Sequence, residues 1–332
     1  METVRLALDW TPNILGNTQQ KLTASSPPHG FFTTSANHTG FFIAKVLGHF
    51  AEEGLDVQIS DPSTDAYSQT PAAKLAQGHV DYALAPSESV LAHRFATSPA
   101  PLRAVAAVLA KDASAIATLA SSGIGSPREL DGKRYASYDA RFENHIVRSM
   151  IRNDGGKGNI EIVSPPKLGI WETIIEREAD ATWIFENWEG LEASMKGTEL
   201  KTFKMEDYGI PYGYSLLVLI NEASQPPAAT TRRFLRAARK GFEFAVSQPA
   251  EAAKILHVFT PPETSGELLR ASQSWLSNGG VYVGEDVWGK MAPTKWRAWV
   301  DWLRTEGLLK HRDGSEIADF SVESLFTNEF ED

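Results

Sequence analysis

Short apolar runs alternate along the chain with helix-length segments whose apolar residues recur every three to four positions, the pattern of a sheet with crossover helices. Positions 4–9 read as a buried strand, 39–50 as a helix, and 55–59 as the next strand, with Gly54 stopping the helix between them. The alternation continues with a helix at 71–77, a strand at 81–85, a helix beginning near Ser87 and a strand at 102–109. From Ile116 the pattern restarts. A helical turn at 126–130 precedes a strand at 134–138, a helix at 142–153, a strand at 160–163, a helix at 170–178 and a strand at 181–185. A strand at 214–221 then leads out, and helices are predicted at 231–246, 249–257, 263–275 and 294–306.

This order implies an α/β protein of two lobes, each a doubly wound sheet. The first lobe takes 1–113 and 213–332, and the second takes 114–212. A lobe left and re-entered has two connecting segments, which is the anatomy of a hinge that closes over a ligand. One segment breaks the pattern. Residues 14–36, rich in Ser, Thr, Pro and Gly, stand between a strand and its helix and far exceed the usual ~2–6-residue connection. They read as a surface excursion.

Composition narrows the classes. The chain has 332 residues, 42% hydrophobic and 22% charged, with a formal net charge of −10. That is a soluble globular composition, and the acidic balance argues against nucleic acid or an anionic membrane as the main partner. No cysteine is present, which excludes disulfide frameworks, thiolate nucleophiles and Cys-held metal clusters. The first ten residues carry no basic region followed by an apolar run, so a cytoplasmic location is expected, and no stretch is apolar enough for an integral membrane segment. A homodimer is compatible with these features. His38, His49, His79 and His93 lack metal-ligand spacing, and neither a dinucleotide-binding nor a phosphate-binding glycine loop occurs. Trp296, Trp299 and Trp302 share one side of a predicted helix and read as packing residues.

In open α/β sheets ligands bind beyond the carboxyl ends of the strands. Residues directly after the predicted strands are Asp9, Trp10 and Asn13; Pro86, Ser87, Glu88 and Ser89; Tyr138 and Asp139; and Glu186, Asn187 and Trp188. Aromatic faces with carboxylates and amides suit a planar heteroaromatic amine better than a sugar or lipid. Ser87 and Ser89 would add a helix N-terminus able to hold an anion, although Ser87 reads equally as a simple cap. Trp10 and Trp188, taken singly, read first as core or interlobe packing. Glu186 is the sharpest candidate, because a carboxylate ending an apolar strand loses hydration unless something pairs with it.

These residues also carry a resemblance. Leu8-Asp9-Trp10-Thr11-Pro12-Asn13, Asn37-His38-Thr39-Gly40-Phe41, Gly54-Leu55-Asp56-Val57, Ala85-Pro86-Ser87-Glu88-Ser89 and Asp207-Tyr208-Gly209-Ile210-Pro211 together resemble the thiamine-pyrimidine family. That family joins formylaminopyrimidine-binding proteins to the synthases of hydroxymethylpyrimidine phosphate. The resemblance implies the type II periplasmic-binding-protein fold, with a ligand cleft between the lobes. It implies a small pyrimidine ligand in thiamine precursor metabolism, with Trp10, Glu186 and the Trp188 region as the ring-binding aromatics and carboxylate; together with the strand-end residues the candidate ligand-binding set is Trp10, Asn13, Asn37, His38, Ser87, Glu88, Ser89, Tyr138, Glu186, Trp188 and Tyr214. It makes 14–36 an insertion in a ligand-facing loop. The synthases use a pyridoxal phosphate lysine, a sacrificial histidine and a cysteine-rich iron motif. Here Ala85 stands at the lysine position, Ser89 at the histidine position, and cysteine is absent. The binding-protein branch, without metal or cofactor, is therefore expected. The alternatives are the synthase itself, with pyridoxal phosphate as cofactor, or a diverged binder of another planar amine or a sulfonate.

Overall fold

The computed structural model describes residues 1–9, 35–65, 68–165, 172–284, 287–311 and 314–330. The expectations for Trp10, Asn13 and nearly all of 14–36 lie outside the described residues. The chain divides into two compact units. The described residues of the first fall within 1–9, 35–112 and 213–330, and those of the second within 113–212.

The first unit contains strands β1 (Glu2–Ala7), β2 (Leu55–Ser60), β3 (Tyr82–Ala85) and β4 (Leu102–Ala107). The second contains β5 (Ser114–Leu119), β6 (Lys133–Ala136), β7 (Ile160–Val163), β8 (Ala181–Phe185) and β9 (Leu200–Phe203). Strand β10 (Leu217–Asn221) belongs to the first unit. The two sheets run β2-β1-β3-β10-β4 and β7-β6-β8-β5-β9. In the first, β1 pairs in parallel with β2 and β3, and β10 lies antiparallel between β3 and β4. In the second, β6 is parallel to β7 and β8, while β5 runs antiparallel to both β8 and β9. Each sheet therefore gathers the carboxyl ends of four strands and the start of the fifth at one end.

Helices α1 (Thr39–Val46) and α2 (His49–Glu52) replace the single helix expected at 39–50. Gly48, at φ 82°, takes a left-handed conformation that ends α1 after Leu47 and redirects the chain. Helices α3 (Pro71–Ala76) and α4 (Ser87–Arg94) follow in the first unit, and α5 (Glu143–Asn153), α6 (Glu172–Ile175) and α7 (Leu191–Met195) in the second. The C-terminal helices α8 (Ala228–Ser247), α9 (Pro249–His257), α10 (Gly266–Asn278) and α11 (Pro293–Thr305) return to the first unit. Helix α8 packs on α1 and α2 through Phe234. The Phe234 ring stacks 4.2 Å from Tyr82 on β3 and 5.4 Å from Phe50 on α2. Trp296 and Trp299 are fully buried, Trp296 against Phe326 and Trp299 against Trp302. One cluster in the core of the second unit gathers small residues, Ala117, Ala136, Ala179 and Ala193, around Ile174 and Ile184.

Among the boundaries that differ from expectation, the strands at 214–221 and 102–109 shorten to Leu217–Asn221 and Leu102–Ala107. Tyr214 was expected to open the return strand, but its backbone is engaged by Ser87, so the ladder begins only at Leu217. Leu216 O accepts instead from Val108 N at 3.0 Å, which carries β4 into the turn beyond its ladder.

Candidate functional site

In the first unit the carboxyl end of the sheet presents Asp9, Asp61, Ser87, Tyr214 and the turn holding Asn37 and His38. That turn is tightly anchored. Ser35 caps it, accepting from Asn37 N at 3.4 Å, and Ala36 O accepts from Thr39 Oγ1 at 2.7 Å and from the Tyr282 hydroxyl. His38 is 1% exposed, and its Nε2 meets Asp9 Oδ1. Asn37 is buried beside it.

Ser87 is fully buried and doubly bonded to Tyr214: its N–H donates to Tyr214 O at 2.8 Å, and its Oγ accepts from Tyr214 N at 3.1 Å. The first N–H of α4 is thus engaged by protein, and Glu88 places a buried carboxylate in the same turn. An anion gains little from such a helix start. Ser89 is half-buried, its N–H bonded to Pro86 O. Tyr214 is buried, its hydroxyl accepts from Ala292 N at 2.7 Å, and Lys295 Nζ lies 4.3 Å from its ring centroid.

In the second unit Glu186 stands where β8 ends, with its N–H bonded to Ala113 O. Its side chain is 19% exposed, Oε1 accepts from Thr202 Oγ1 at 3.3 Å, and Oε2 lies 3.1 Å from Lys204 Nζ. The carboxylate's hydrogen bond keeps the Lys204 ammonium protonated above the ordinary lysine range. Residues Glu186–Gly190 form a widened helical turn in which Asn187, Trp188 and Glu189 are buried. Such π-type turns recur at functional sites. Glu189 Oε2 accepts from Phe185 N at 2.9 Å and so braces the strand end, while the buried Trp188 indole N–H has no acceptor among the described residues.

Tyr138, half-buried, follows β6 next to Asp139. This loop is tied to Glu143, whose Oε1 accepts from Tyr135 Oη at 2.8 Å and Tyr138 N at 3.1 Å, and whose Oε2 accepts from Ala140 N at 3.1 Å. Burial lifts the Glu143 carboxyl above its ordinary value, against the pull of these donors. The stability linked to this group is therefore present in full below an ordinary glutamate pKa and declines as pH rises through the raised one. In thermal melts across that window, Glu143→Gln, which cannot ionise, is expected to gain on the wild type as pH rises. A gap that does not change with pH would contradict the shift.

Sequence reasoning missed Lys204 and Glu143. Lys204 directly follows β9, so the strand-end rule would have reached it had β9 been recognised. Among the described residues no group of three His, Asp or Glu side chains could hold a metal ion. None of the described helices is long and apolar enough to cross a membrane.

A family model described as NMT1/THI5 like matches residues 35–252. The chain belongs to the NMT1/THI5-like family. This NMT1/THI5-like chain is 28% identical over 260 residues to the formylaminopyrimidine-binding protein of Halalkalibacterium halodurans, covering 77% of this chain and 70% of that one. It is 24% identical over 234 residues to a putative thiamine biosynthesis protein of Haemophilus influenzae, covering 70% and 72%. The alkanesulfonate-binding protein SsuA of Xanthomonas axonopodis pv. citri, solved bound to MOPS, superposes with a TM-score of 0.64 at 12% identity, over 93% of this chain and 94% of that one. That likeness establishes the periplasmic-binding-protein fold, and at this identity it carries the fold alone. Ala85, the residue that the resemblance sets at the lysine position, is a buried methyl side chain at the end of β3.

Proposed function

We propose that this chain binds a thiamine-related aminopyrimidine, of the hydroxymethylpyrimidine or formylaminopyrimidine type, as a binding protein in thiamine precursor metabolism. The observation that carries the reading is the 260-residue match to a formylaminopyrimidine-binding protein. The chemistry of the second unit supports it. A carboxylate has about four acceptor positions. Thr202 and Lys204 engage one oxygen each, which leaves Glu186 able to accept from an exocyclic amine. Lys204 offsets its charge without removing that capacity.

Calorimetric titration with hydroxymethylpyrimidine, its phosphate and formylaminomethylpyrimidine tests the reading, and saturable heat with at least one of them is expected. Heat with none would overturn it. In the same titration Glu186→Gln should weaken binding by about 10- to 150-fold, the equivalent of a hydrogen bond to a charged group of ~1.5–3 kcal/mol. Unchanged affinity would remove Glu186 from the site.

A further inference from the structure

The loop after β6 is held by a network of hydrogen bonds. Asp139 sits at φ 59°, in the left-handed region, which aspartate enters more readily than most residues. Three hydrogen bonds from Tyr135, Tyr138 and Ala140 converge on the Glu143 carboxylate, and the Ser137 side chain adds another. Ser137 Oγ in turn accepts from Asp139 N at 3.0 Å, and Asp139 Oδ1 accepts from Ser164 Oγ at 3.1 Å at the end of β7. Glu143 is 2% exposed, and Tyr135, Tyr138 and Ala140 give it a hydroxyl and two amide donors. A buried carboxylate in such company is costly unless its bonds are kept. Beside this loop, β6 pairs with β8, Ala136 opposite Thr182, so Tyr138 and Glu186 follow the ends of adjacent strands.

We infer that Glu143 is a positioning residue for ligand binding, holding Tyr138 and Asp139 in the one loop conformation that presents them beside Glu186. Ligand affinity then depends on a group that does not touch the ligand. For its ligand the inference rests on the pyrimidine reading above; for the loop it rests on geometry alone.

The test is Glu143→Gln, which keeps the side chain's volume but has one acceptor atom where the carboxylate has two, leaving a loop N–H unsatisfied. Hydrogen exchange of 137–140, thermal melting at neutral pH and titration with formylaminomethylpyrimidine and hydroxymethylpyrimidine are read together on wild type and variant. Exchange at the Tyr138 and Ala140 amides should quicken by about 10-fold and affinity should fall by about 10-fold, while the melting temperature stays near that of the wild type. Tyr138→Ala should then weaken binding less in the variant than in the wild type, because a loop already released has less to lose. Unchanged exchange would overturn the inference, as would a loosened loop with unchanged affinity and additive Tyr138→Ala effects. A wild type that binds neither pyrimidine, with the loop loosened in the variant, would support the lock and overturn the pyrimidine reading instead. Should Glu143→Gln not fold, Tyr135→Phe removes one donor and leaves the carboxylate, and the same readouts should move in the same direction by less.

Discussion

Replacing Gly241 with alanine is expected to lower the melting temperature by about 4–8 °C, a net loss of about 2 kcal/mol or more. Helices α1 and α8 cross where Gly40 faces Gly241. A methyl group on Gly241 would lie 2.0 Å from Gly40 O and 3.0 Å from Ala44 N, both backbone atoms that no rotamer change can move aside. The helices would have to part, and with them the aromatic contacts of Phe41 with Phe234 and Phe242. Alanine's better helix propensity returns only about 1 kcal/mol, whereas overpacking of this kind costs about 3 kcal/mol or more. The clash therefore wins. A variant that melts with the wild type would mean that the helices do not approach through these two glycines.

A larger loss, about 3–5 kcal/mol, is expected for Phe234→Ala. The side chain is fully buried and lies nearly parallel to Tyr82 at 4.2 Å and to Phe50 at 5.4 Å, with Phe41 at 6.2 Å. Removing it opens a cavity where α8, α2 and β3 meet, and the rings around it are too rigid to fill the space. Phe234→Leu separates volume from ring stacking. It should recover most of the loss and leave a deficit of about 0.5–1.5 kcal/mol, the typical contribution of an aromatic pair beyond its area. Chemical denaturation of both variants measures the two contributions. Equal losses for Ala and Leu would show that stacking, rather than filled volume, holds this junction.

Some of the fold could be read directly from the residues. The strand at 181–185 and the helix at 249–257 have the bounds expected, because an apolar run ended by Glu186 and a proline at a first helical position are strong local signals. Strands β5 and β9 were missed. Ser-Ala-Ile-Ala-Thr-Leu is buried along nearly its whole length and so lacks the alternation that marks a half-exposed strand, and β9 is only four residues long. Glu186 was reachable as a candidate because the rule linking function to strand ends needs only the strand. Glu143 was not. A glutamate opening a helix looks like an ordinary first-turn acid, and its burial among Tyr135, Tyr138 and Ala140 is a tertiary fact. The motif Asn37-His38-Thr39-Gly40 mixes two kinds of requirement. Its glycine answers to the crossing with α8, where Phe242 leaves no room for a side chain.

The placement of β10 governs the order in which the chain can mature on the ribosome. Within its sheet β4 has β10 as its sole strand neighbour, and β3 has β10 on one side. β4 emerges before any of 113–212 is made, so throughout synthesis of the second unit it has an unpaired edge, the kind of surface that recruits stray strands. The described residues of the second unit, 113–212, hold all five strands of its sheet, and all five are in hand before β10 exists. The inner module is thus able to finish while the outer one waits for a strand encoded after it, the reverse of the usual order in which nascent domains fold from the N-terminus onward.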